Sequence, residues 1–368
     1  MPDLFNLKVF KDDLIMELSK KCTAISTAPF GGGVIEAKHI VFHRVPENFD
    51  KEPNKVACDI IRKFHLDPSS TIVFLTAMDV ASEYVKVEGS VGDLKIGVVA
   101  TVGLRNPVTL GYGKYHKAPS TINIAAVINN KLSPNALVEA IKTIVEAKVE
   151  AIRCVDLRCG DRVAIGTSTD ALAIATLGEG RALKYSGQLT EIGKLLSKLT
   201  FKAIMKSCES SGYSPSRDLL KRLSERGIDM ETLVEASLKL FIPWKGMNRE
   251  KARKTIRKYL KLLSRDPNIS SLVMASARLD EDARIGLIPG LSKEDYLKDP
   301  VYLVADEILG MALALYINGW NGLFEYYRYD REKPGVIKRL PPFMDDVIAA
   351  FIAGVTSRIY SKGLEERP

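Results

Sequence analysis

The chain has 368 residues, of which 46% are hydrophobic and 27% charged, with a formal net charge of +8. Its length fits two domains, and its composition is that of a globular protein, which excludes collagen-like and wholly disordered classes. The longest apolar runs, such as residues 347–355, fall far short of the ~20 residues that cross a bilayer.

The first residues, MPDLFNLKVFKDD, carry acids where a secretory segment would have an apolar core. The five cysteines are odd in number and scattered, so neither a disulfide framework nor a zinc site is predicted. We therefore expect a cytoplasmic protein with reduced thiols and without a membrane span.

The first half of the sequence reads as strands rich in β-branched residues, set between two helices. The helices are predicted at 54–64 and 134–155, the second with Ser133 as N-cap and Pro134 at its first position. Because no βαβ alternation is sustained, we predict an α/β domain with a mixed or antiparallel sheet covered by helices. The strands are predicted at 71–77, 95–104, 121–129 and 171–177.

Four polar segments stand where these strands end, which is where binding sites are often assembled. Gly31, Gly32 and Gly33 offer backbone N–H groups that can approach a ligand closely, although three glycines also fit a simple turn. Neither a phosphate-binding loop nor a dinucleotide fingerprint is present. The segments are STAPFGGG (26–33), GLRNPVTLG (103–111), PSTIN (119–123) and IGTSTD (165–170).

Taken in order, these segments resemble the adenosylcobinamide amidohydrolase family over roughly residues 5 to 200. The resemblance implies that the first domain cleaves the aminopropanol amide of adenosylcobinamide to give adenosylcobyric acid. A corrinoid-binding module without catalysis is the alternative. The matching blocks are STAPFGGG, the strand with His39 and His43, GLRNPVTLG, TINIAAVINNKLSPNALVEAIKTIVEAKVEAI and IGTSTDALAIA.

Amide hydrolysis requires a nucleophile, a base and donors for the oxyanion. His43 is the candidate base for a water or a hydroxyl, and Asp170 its orienting partner. Each candidate is also a common cap, turn or strand residue. His39 shares the strand face of His43 but has no nearby acid other than Glu36, so no metal is predicted here. The candidate catalytic residues are Ser26, Thr27, His43, Asn106 and Asp170.

A stretch rich in Ser, Gly and Pro, KSCESSGYSPS, predicts the domain boundary, with domains at 1–205 and 212–368. Beyond it nearly every segment has helical spacing, which predicts an all-α bundle. Residues 248–265 form a basic helix with an apolar inward stripe, and no aromatic residues interleave to stack bases, so no nucleic-acid binding is predicted. The stripe consists of Ala252, Ile256, Leu260 and Leu263.

Two apolar helical segments near the C-terminus, each expected to be buried all round, carry a pair of adjacent acids. An ionised carboxylate out of water is costly unless something pairs with it. Either a hard divalent cation gathers the acids, as we prefer, or arginines neutralise them as ion pairs. The pairs are Asp306-Glu307 in VYLVADEILGMALALYI and Asp345-Asp346 in PFMDDVIAAFIAGV, and the arginines are Arg328, Arg331 and Arg358.

The intervening segment, NGLFEYYRYDREKPGVIKRL, adds Asp330 and the candidate anion-binding cations Arg328, Arg331 and Lys333. Acids for a cation together with cations for an anion predict a phosphate ester as the substrate. Taken alone, this segment also fits a solvated loop with balanced charge.

The blocks DPVYLVADEILG, YDREKPGVIKRL and FMDDVIAAFIAG resemble the phosphatidylglycerophosphatase A family and its soluble relative, the α-ribazole phosphatase of cobamide synthesis. The resemblance implies a phosphatase with magnesium as its cofactor. The lack of membrane spans favours α-ribazole phosphate over the alternative substrate, phosphatidylglycerophosphate. The implied metal ligands are Asp306, Glu307, Asp330, Asp345 and Asp346.

Together, the two halves resemble archaeal bifunctional hydrolases. Their activities act on the corrinoid ring and on the nucleotide loop of the same cobamide. We therefore expect small-molecule substrates, no nucleic-acid partner and no membrane span, and the sequence leaves a homo-oligomer open.

Overall fold

The computed structural model describes residues 3–113 and 120–365, and the chain divides after Ser216 into two units. The strands of the first unit are β1 Phe5–Val9, β2 Asp13–Ser26, β3 Gly33–Arg44, β4 Thr71–Thr76, β5 Val85–Val91, β6 Leu94–Val102, β7 Pro107–Thr109, β8 Tyr112–Gly113, β9 Ile122–Ile128, β10 Arg158–Cys159, β11 Arg162–Val163, β12 Gly166–Thr167 and β13 Ala171–Thr176. The helices of this unit are α1 Pro53–Lys63, α2 Pro134–Cys154 and α3 Glu191–Ser210.

The main sheet of the first unit has the strand order β4-β3-β2-β13-β9-β6-β5, and β1 pairs with β2 beside this path. The pairs β3–β4 and β13–β9 are parallel, whereas the other described pairs of this sheet are antiparallel. The register of the long β2–β3 hairpin shifts between Glu17 and Cys22. Such a bulge bends a hairpin and strengthens its twist.

This sheet folds over on itself around an apolar core. Phe42 of β3 and Val127 of β9 belong to the same buried cluster, so the two sheet halves face each other. Alternate residues point outward: Val41 packs against α1, and Ile124 packs against α2 and α3. The first unit therefore has four layers, with α1 outside one half of the sheet and α2 and α3 outside the other.

The prediction of a mixed sheet covered by helices is confirmed. The predicted strands appear as β4, β6, β9 and β13, and Ser133 caps α2 by accepting a hydrogen bond from Ala136 N at 3.2 Å. Helix α3 was not predicted, and it runs through residue 205, where the first domain was expected to end. It continues because residues as far as Cys208 pack into the core beneath the sheet.

The second unit is helical, as predicted. Helix α6 buries the predicted stripe, and Asn248 caps it by accepting a hydrogen bond from Lys251 N at 2.9 Å. Its helices are α4 Leu219–Ser224, α5 Met230–Leu240, α6 Arg249–Leu263, α7 Pro267–Ile285, α8 Lys293–Tyr296, α9 Ala305–Glu332 and α10 Pro342–Glu365, with short 3₁₀ turns at Pro68–Ser70 in the first unit and Ile337–Arg339 in the second.

Helix α9 is a helical hairpin whose two arms are residues 305–317 and 320–332. At the reversal Gly319 has a φ of 56°, a conformation that glycine adopts readily. Gly310 of the first arm lies against the Tyr326 hydroxyl of the second, where a Cβ would come within 2.7 Å of that oxygen. Close packing of the arms therefore depends on a small residue at 310.

The two acid-bearing helices differ in burial. Helix α10 is buried along residues 343–357, as expected from its sequence. The expectation of all-round burial is wrong for α9, because Ile308, Met311 and Leu315 are exposed along its first arm. This arm also begins at Ala305 rather than at residue 301. Among the described residues, no helix is long and apolar enough to cross a membrane.

Candidate active sites

Asp170 organises the strand-end loops of the first unit. Its carboxylate accepts hydrogen bonds from Ile122 N at 3.2 Å, from Thr167 N at 3.1 Å and from the Thr167 hydroxyl at 2.5 Å. Lys148 of α2 forms an ion pair with it at 2.5 Å, and both side chains are largely buried. The main-chain oxygen of Asn106 accepts a further bond from Ser168 N at 3.2 Å. Three of the four predicted loops therefore meet around this carboxylate.

Ser26 and Thr27 join the same region through Leu172. The Ser26 hydroxyl donates to the Leu172 main-chain oxygen at 3.1 Å, and Leu172 N donates to the Thr27 hydroxyl at 2.9 Å. Ala28 N also donates to the Ser26 oxygen, at 3.0 Å. Both hydroxyls thus extend the pairing of β2 with β13 in this structure.

The glycine run lies along the free edge of β4, to which Phe30 is bridged at Val73. Gly31 has a φ of 72°, and a Cβ there would come within 2.5 Å of the Thr71 main-chain oxygen. Gly33 has a φ of 86°. Backbone therefore packs directly on backbone at Gly31, and the positive φ accounts for glycine at position 33.

His43 bonds to a partner that the sequence did not suggest. Its Nδ1 lies 2.7 Å from the Asp13 carboxylate, and Lys63 of α1 reaches the other oxygen of Asp13 at 2.7 Å. Asp13 is fully buried; burial opposes the shift, but the bonds from His43 and Lys63 lower its pKa. The expected orientation of His43 by Asp170 is wrong. Asp13 bonds to His43 instead, and the carboxylate of Asp170 accepts hydrogen bonds from Ile122 and Thr167 and pairs with Lys148.

Two further polar residues face the interior at the gathered loops. Thr101 of β6 and Asn123 of β9 are directly paired across the sheet. The Asn123 amide nitrogen donates to the Leu75 main-chain oxygen at 3.0 Å. The Thr101 hydroxyl and the Asn123 side-chain oxygen are buried without a hydrogen-bond partner in the described structure. Buried polar atoms are usually satisfied, so these two are candidates for contact with a ligand.

In the second unit, Asp306, Glu307 and Asp346 form an acid cluster in which one ligand atom of each lies within 4.8 Å of the others. Asp306 and Asp346 are buried, and Oε2 of Glu307 is buried without a hydrogen-bond partner among the described residues. The helical hairpin and α10 bring these acids together from two separate stretches of the sequence.

Two acids of the cluster, Asp306 and Asp346, resist ionisation. Burial and the neighbouring Glu307 raise the pKa of Asp306, and burial together with Asp330 raises the pKa of Asp346. Among the described residues, no cation forms an ion pair with the three clustered acids. A divalent cation would therefore gain both the carboxylate charges and a set of hard oxygen donors.

Asp345 lies outside the acid cluster. Lys333 pairs with it at 2.6 Å, and burial raises the pKa of Asp345 to about 6 although this ion pair opposes the shift. The arginines named as alternative partners of the acids bond elsewhere, which removes the ion-pair interpretation for these three residues. Their contacts are Arg328 with Glu325 at 2.7 Å, Arg331 with Glu332 at 3.0 Å, and Arg358 with the Ile317 main-chain oxygen at 2.8 Å.

Sequence reasoning missed Asp13, Lys63, Thr101 and Tyr326, whereas Asn123 lies in the predicted segment PSTIN (119–123). An acid at the start of the apolar run DLIMEL was the available signal for Asp13. The others carry no local signature, because strands and helix pairing place them. The thiols are free, and burial raises the pKa of Cys22 to about 11 and of Cys208 to about 12.

Comparison with known proteins identifies the class of each unit. The family described as adenosylcobinamide amidohydrolase matches residues 4–214, and the family described as phosphatidylglycerophosphatase A matches residues 241–361. The first match covers more than half of the 368 residues, so the chain belongs to the adenosylcobinamide amidohydrolase family. Its second unit is a phosphatidylglycerophosphatase A-like domain, and the chain is a hydrolase.

Individual relatives match parts of the chain. An adenosylcobinamide amidohydrolase of Methanosarcina mazei is 29% identical over 51% of this chain and 91% of its own length. An uncharacterised protein of Methanocaldococcus jannaschii is 36% identical over 34% of this chain and 99% of its own length. The crystal structure of the low temperature requirement C protein from Listeria monocytogenes covers 40% of this chain and 94% of that protein, with 23% identity and a TM-score of 0.34.

Proposed function

We propose that this chain is a bifunctional hydrolase of cobamide assembly. The first unit hydrolyses the amide of adenosylcobinamide to adenosylcobyric acid and an aminopropanol product. The second unit dephosphorylates α-ribazole phosphate in a magnesium-dependent reaction. The union of the two hydrolase families in one chain supports this assignment, because the proposed substrates are precursors of the two halves of one cobamide.

The acid cluster is the observation that carries the phosphatase assignment. Asp306, Glu307 and Asp346 would hold the magnesium, because their oxygens lie within 4.8 Å of one another and Oε2 of Glu307 has no described hydrogen-bond partner. When bound, magnesium supplies positive charge to the phosphate oxygens. Lys333, fixed by Asp345 at 2.6 Å, holds a further positive charge for the phosphate.

In the first unit, His43 is the proposed base. Asp13 fixes the imidazole through Nδ1, so Nε2 is the nitrogen that can accept a proton from a water. Lys63 keeps Asp13 ionised, and an ionised Asp13 stabilises the imidazolium that forms. Asn106, which lies on one of the gathered loops, is the proposed contact for the substrate amide.

The test measures both products from the full-length protein. We expect aminopropanol release from adenosylcobinamide with or without a chelator, and phosphate release from α-ribazole phosphate only with magnesium. His43→Gln should lower aminopropanol release about 100-fold or more, as expected for loss of a general base, and leave phosphate release unchanged. Binding of adenosylcobinamide without product release would instead support the non-catalytic corrinoid module.

A further inference from the structure

A cavity of about 610 Å³ opens between the two arms of α9, directly beside the acid cluster. One end of it is polar, formed by Glu307 and Asp330. Its volume lies within the range of about 300–1,000 Å³ that is typical of small-molecule sites. The remaining lining is apolar or aromatic: Met311, Leu323, Phe324, Tyr326 and Tyr327.

We propose that this cavity is the subsite for the alcohol part of the phosphate ester, and that its walls bind a flat aromatic group. The inference rests on the proposed phosphatase and specifies which esters that site prefers. The phosphate lies at the polar end against the acid cluster, and the aromatic group extends away from it between Met311 and Phe324.

Two aromatic side chains that line the cavity are largely exposed to solvent. Phe324 is 71% exposed and Tyr327 60% exposed, and they stand three positions apart on the same side of the second arm. Exposed apolar surface next to a polar cluster marks a binding site, since a ligand that covers it releases ordered water. Aromatic rings favour stacking on another flat ring over packing against a flexible chain.

The polar end of the cavity also lacks partners. The Tyr326 hydroxyl and Oε2 of Glu307 are both buried without a hydrogen-bond partner in the described part of the chain. The Tyr326 hydroxyl lies beside Gly310 and close to the carboxylate of Asp346. An unpaired buried hydroxyl is costly, so it is well placed to donate to a sugar or phosphate oxygen of the ester.

The test compares two esters that differ only in the aromatic group, α-ribazole 5′-phosphate and ribose 5-phosphate, with magnesium present. We expect the wild-type kcat/KM to be on the order of 100-fold higher for the aromatic ester, as burial of one aromatic group would give. Phe324→Ala should lower this ratio about tenfold, mainly through KM. Trp320→Ala is the matched control, because Trp320 is 70% exposed on the same arm but does not line the cavity.

Several results would overturn the subsite while leaving the phosphatase in place. One is an equal kcat/KM for the two esters. Another is a Phe324→Ala protein that keeps the wild-type ratio and instead changes its sedimentation coefficient, which would make this face a contact between copies. A third is preferential turnover of phosphatidylglycerophosphate in mixed micelles. If the wild type releases no phosphate from any ester with magnesium, the proposed phosphatase itself fails.

Discussion

Two sets of buried carboxylates, one in each unit, differ in whether the fold pairs them. In the first unit Asp170 meets Lys148 and three further donors, and Asp13 lies between His43 and Lys63. In the second unit the acid cluster holds three carboxylates together, and within the described residues no cation pairs with them. Cations of the first unit thus pair with Asp13 and Asp170, whereas no described cation of the second unit pairs with the acid cluster.

This difference matters because buried charges are costly unless they are paired. A fully paired acid stabilises its surroundings and carries no requirement for a metal. A cluster of unpaired acids destabilises the metal-free fold and is stabilised by a cation. The two proposed chemistries follow the same division, since a histidine base works without a metal and a magnesium-dependent phosphatase does not.

The largest expected effect comes from removal of one acid of the cluster. Asp306→Asn should lower phosphate release about 10³-fold or more, because a lost ligand removes transition-state charge stabilisation. Aminopropanol release should not change. The matched control is Glu332→Gln on the same helix, which alters an exposed ion pair with Arg331 and should preserve both activities. Full magnesium-dependent activity of Asp306→Asn would contradict the cluster as the metal site.

Removal of one paired acid tests the other side of the comparison. Asp170→Asn leaves Lys148 buried without its partner and should lower the stability of the first unit by about 3 kcal/mol. Far-UV circular dichroism follows this loss. Both tryptophans, Trp244 and Trp320, lie in the second unit, so their fluorescence transition should not move.

The control for this experiment is Asp59→Asn, which breaks an exposed ion pair with Arg62 and should cost little. If Asp170→Asn is as stable as the wild type but has lost aminopropanol release, Asp170 acts in the chemistry rather than in the fold.

Magnesium should stabilise only the second unit. At a concentration of about 100 times its Kd, the gain is about 2.7 kcal/mol for a ligand that binds the folded state alone. Tryptophan fluorescence should show that magnesium raises the melting temperature of the wild type. The melting temperature of Asp306→Asn should not rise with magnesium. A wild-type melting temperature that does not change with magnesium would contradict a metal site in the second unit. Loss of aminopropanol release with a chelator would contradict metal-free chemistry in the first unit.

The smallest effect concerns Asp280, which caps the start of α10. Its carboxylate accepts hydrogen bonds from Phe343 N at 3.1 Å, Met344 N at 2.9 Å and the Tyr296 hydroxyl at 2.7 Å, yet burial raises its pKa to about 6. An unfolded aspartate titrates near 3.9. The folded protein therefore holds an extra proton between about pH 4 and 6, and this group's contribution to stability falls by about 2 kcal/mol as pH rises through that window.

Urea midpoints from tryptophan fluorescence between pH 4 and 7 check this sign. Asp280→Asn should make the decline shallower by about 2 kcal/mol, because Asp345, whose pKa burial raises to about 6, contributes to the same decline. Asp282→Asn, a neighbour on the same helix, should retain the wild-type decline. Asp13 lies in the first unit, which has no tryptophan, so circular dichroism follows it. It should behave in the opposite way because its pKa is lowered: its stabilisation is present above about pH 4 and is lost below. A wild type and an Asp280→Asn protein with the same pH dependence would refute the assignment for Asp280.

Local patterns in the sequence predicted much of the fold. Ser133 before a proline predicted the start of α2, and the spacing of Ala252, Ile256 and Leu260 predicted the buried side of α6. Adjacent acids in apolar helices predicted where the acid cluster would form. Each of these signals lies within a few residues, where helix geometry fixes which side chains share a face.

The partners of the candidate residues were not readable in this way. Asp13 meets His43 only because β2 and β3 pair in a register that joins them, and Asp170 meets Lys148 across a strand and a helix. Similarly, the reversal at Gly319 brings Tyr326 to Gly310. Contacts of this kind depend on which elements pair and in what register. The residues near each position in the sequence do not specify that pairing.

The sequence by itself determined the class of each unit, the acids of the second unit and the absence of long apolar spans. Only the tertiary structure decided that Asp345 bonds to Lys333 rather than joining the cluster, and that one side of α9 stays exposed beside a cavity. The physical reason is that residue type fixes what a side chain can do, whereas burial and charge partners depend on residues far apart in the chain.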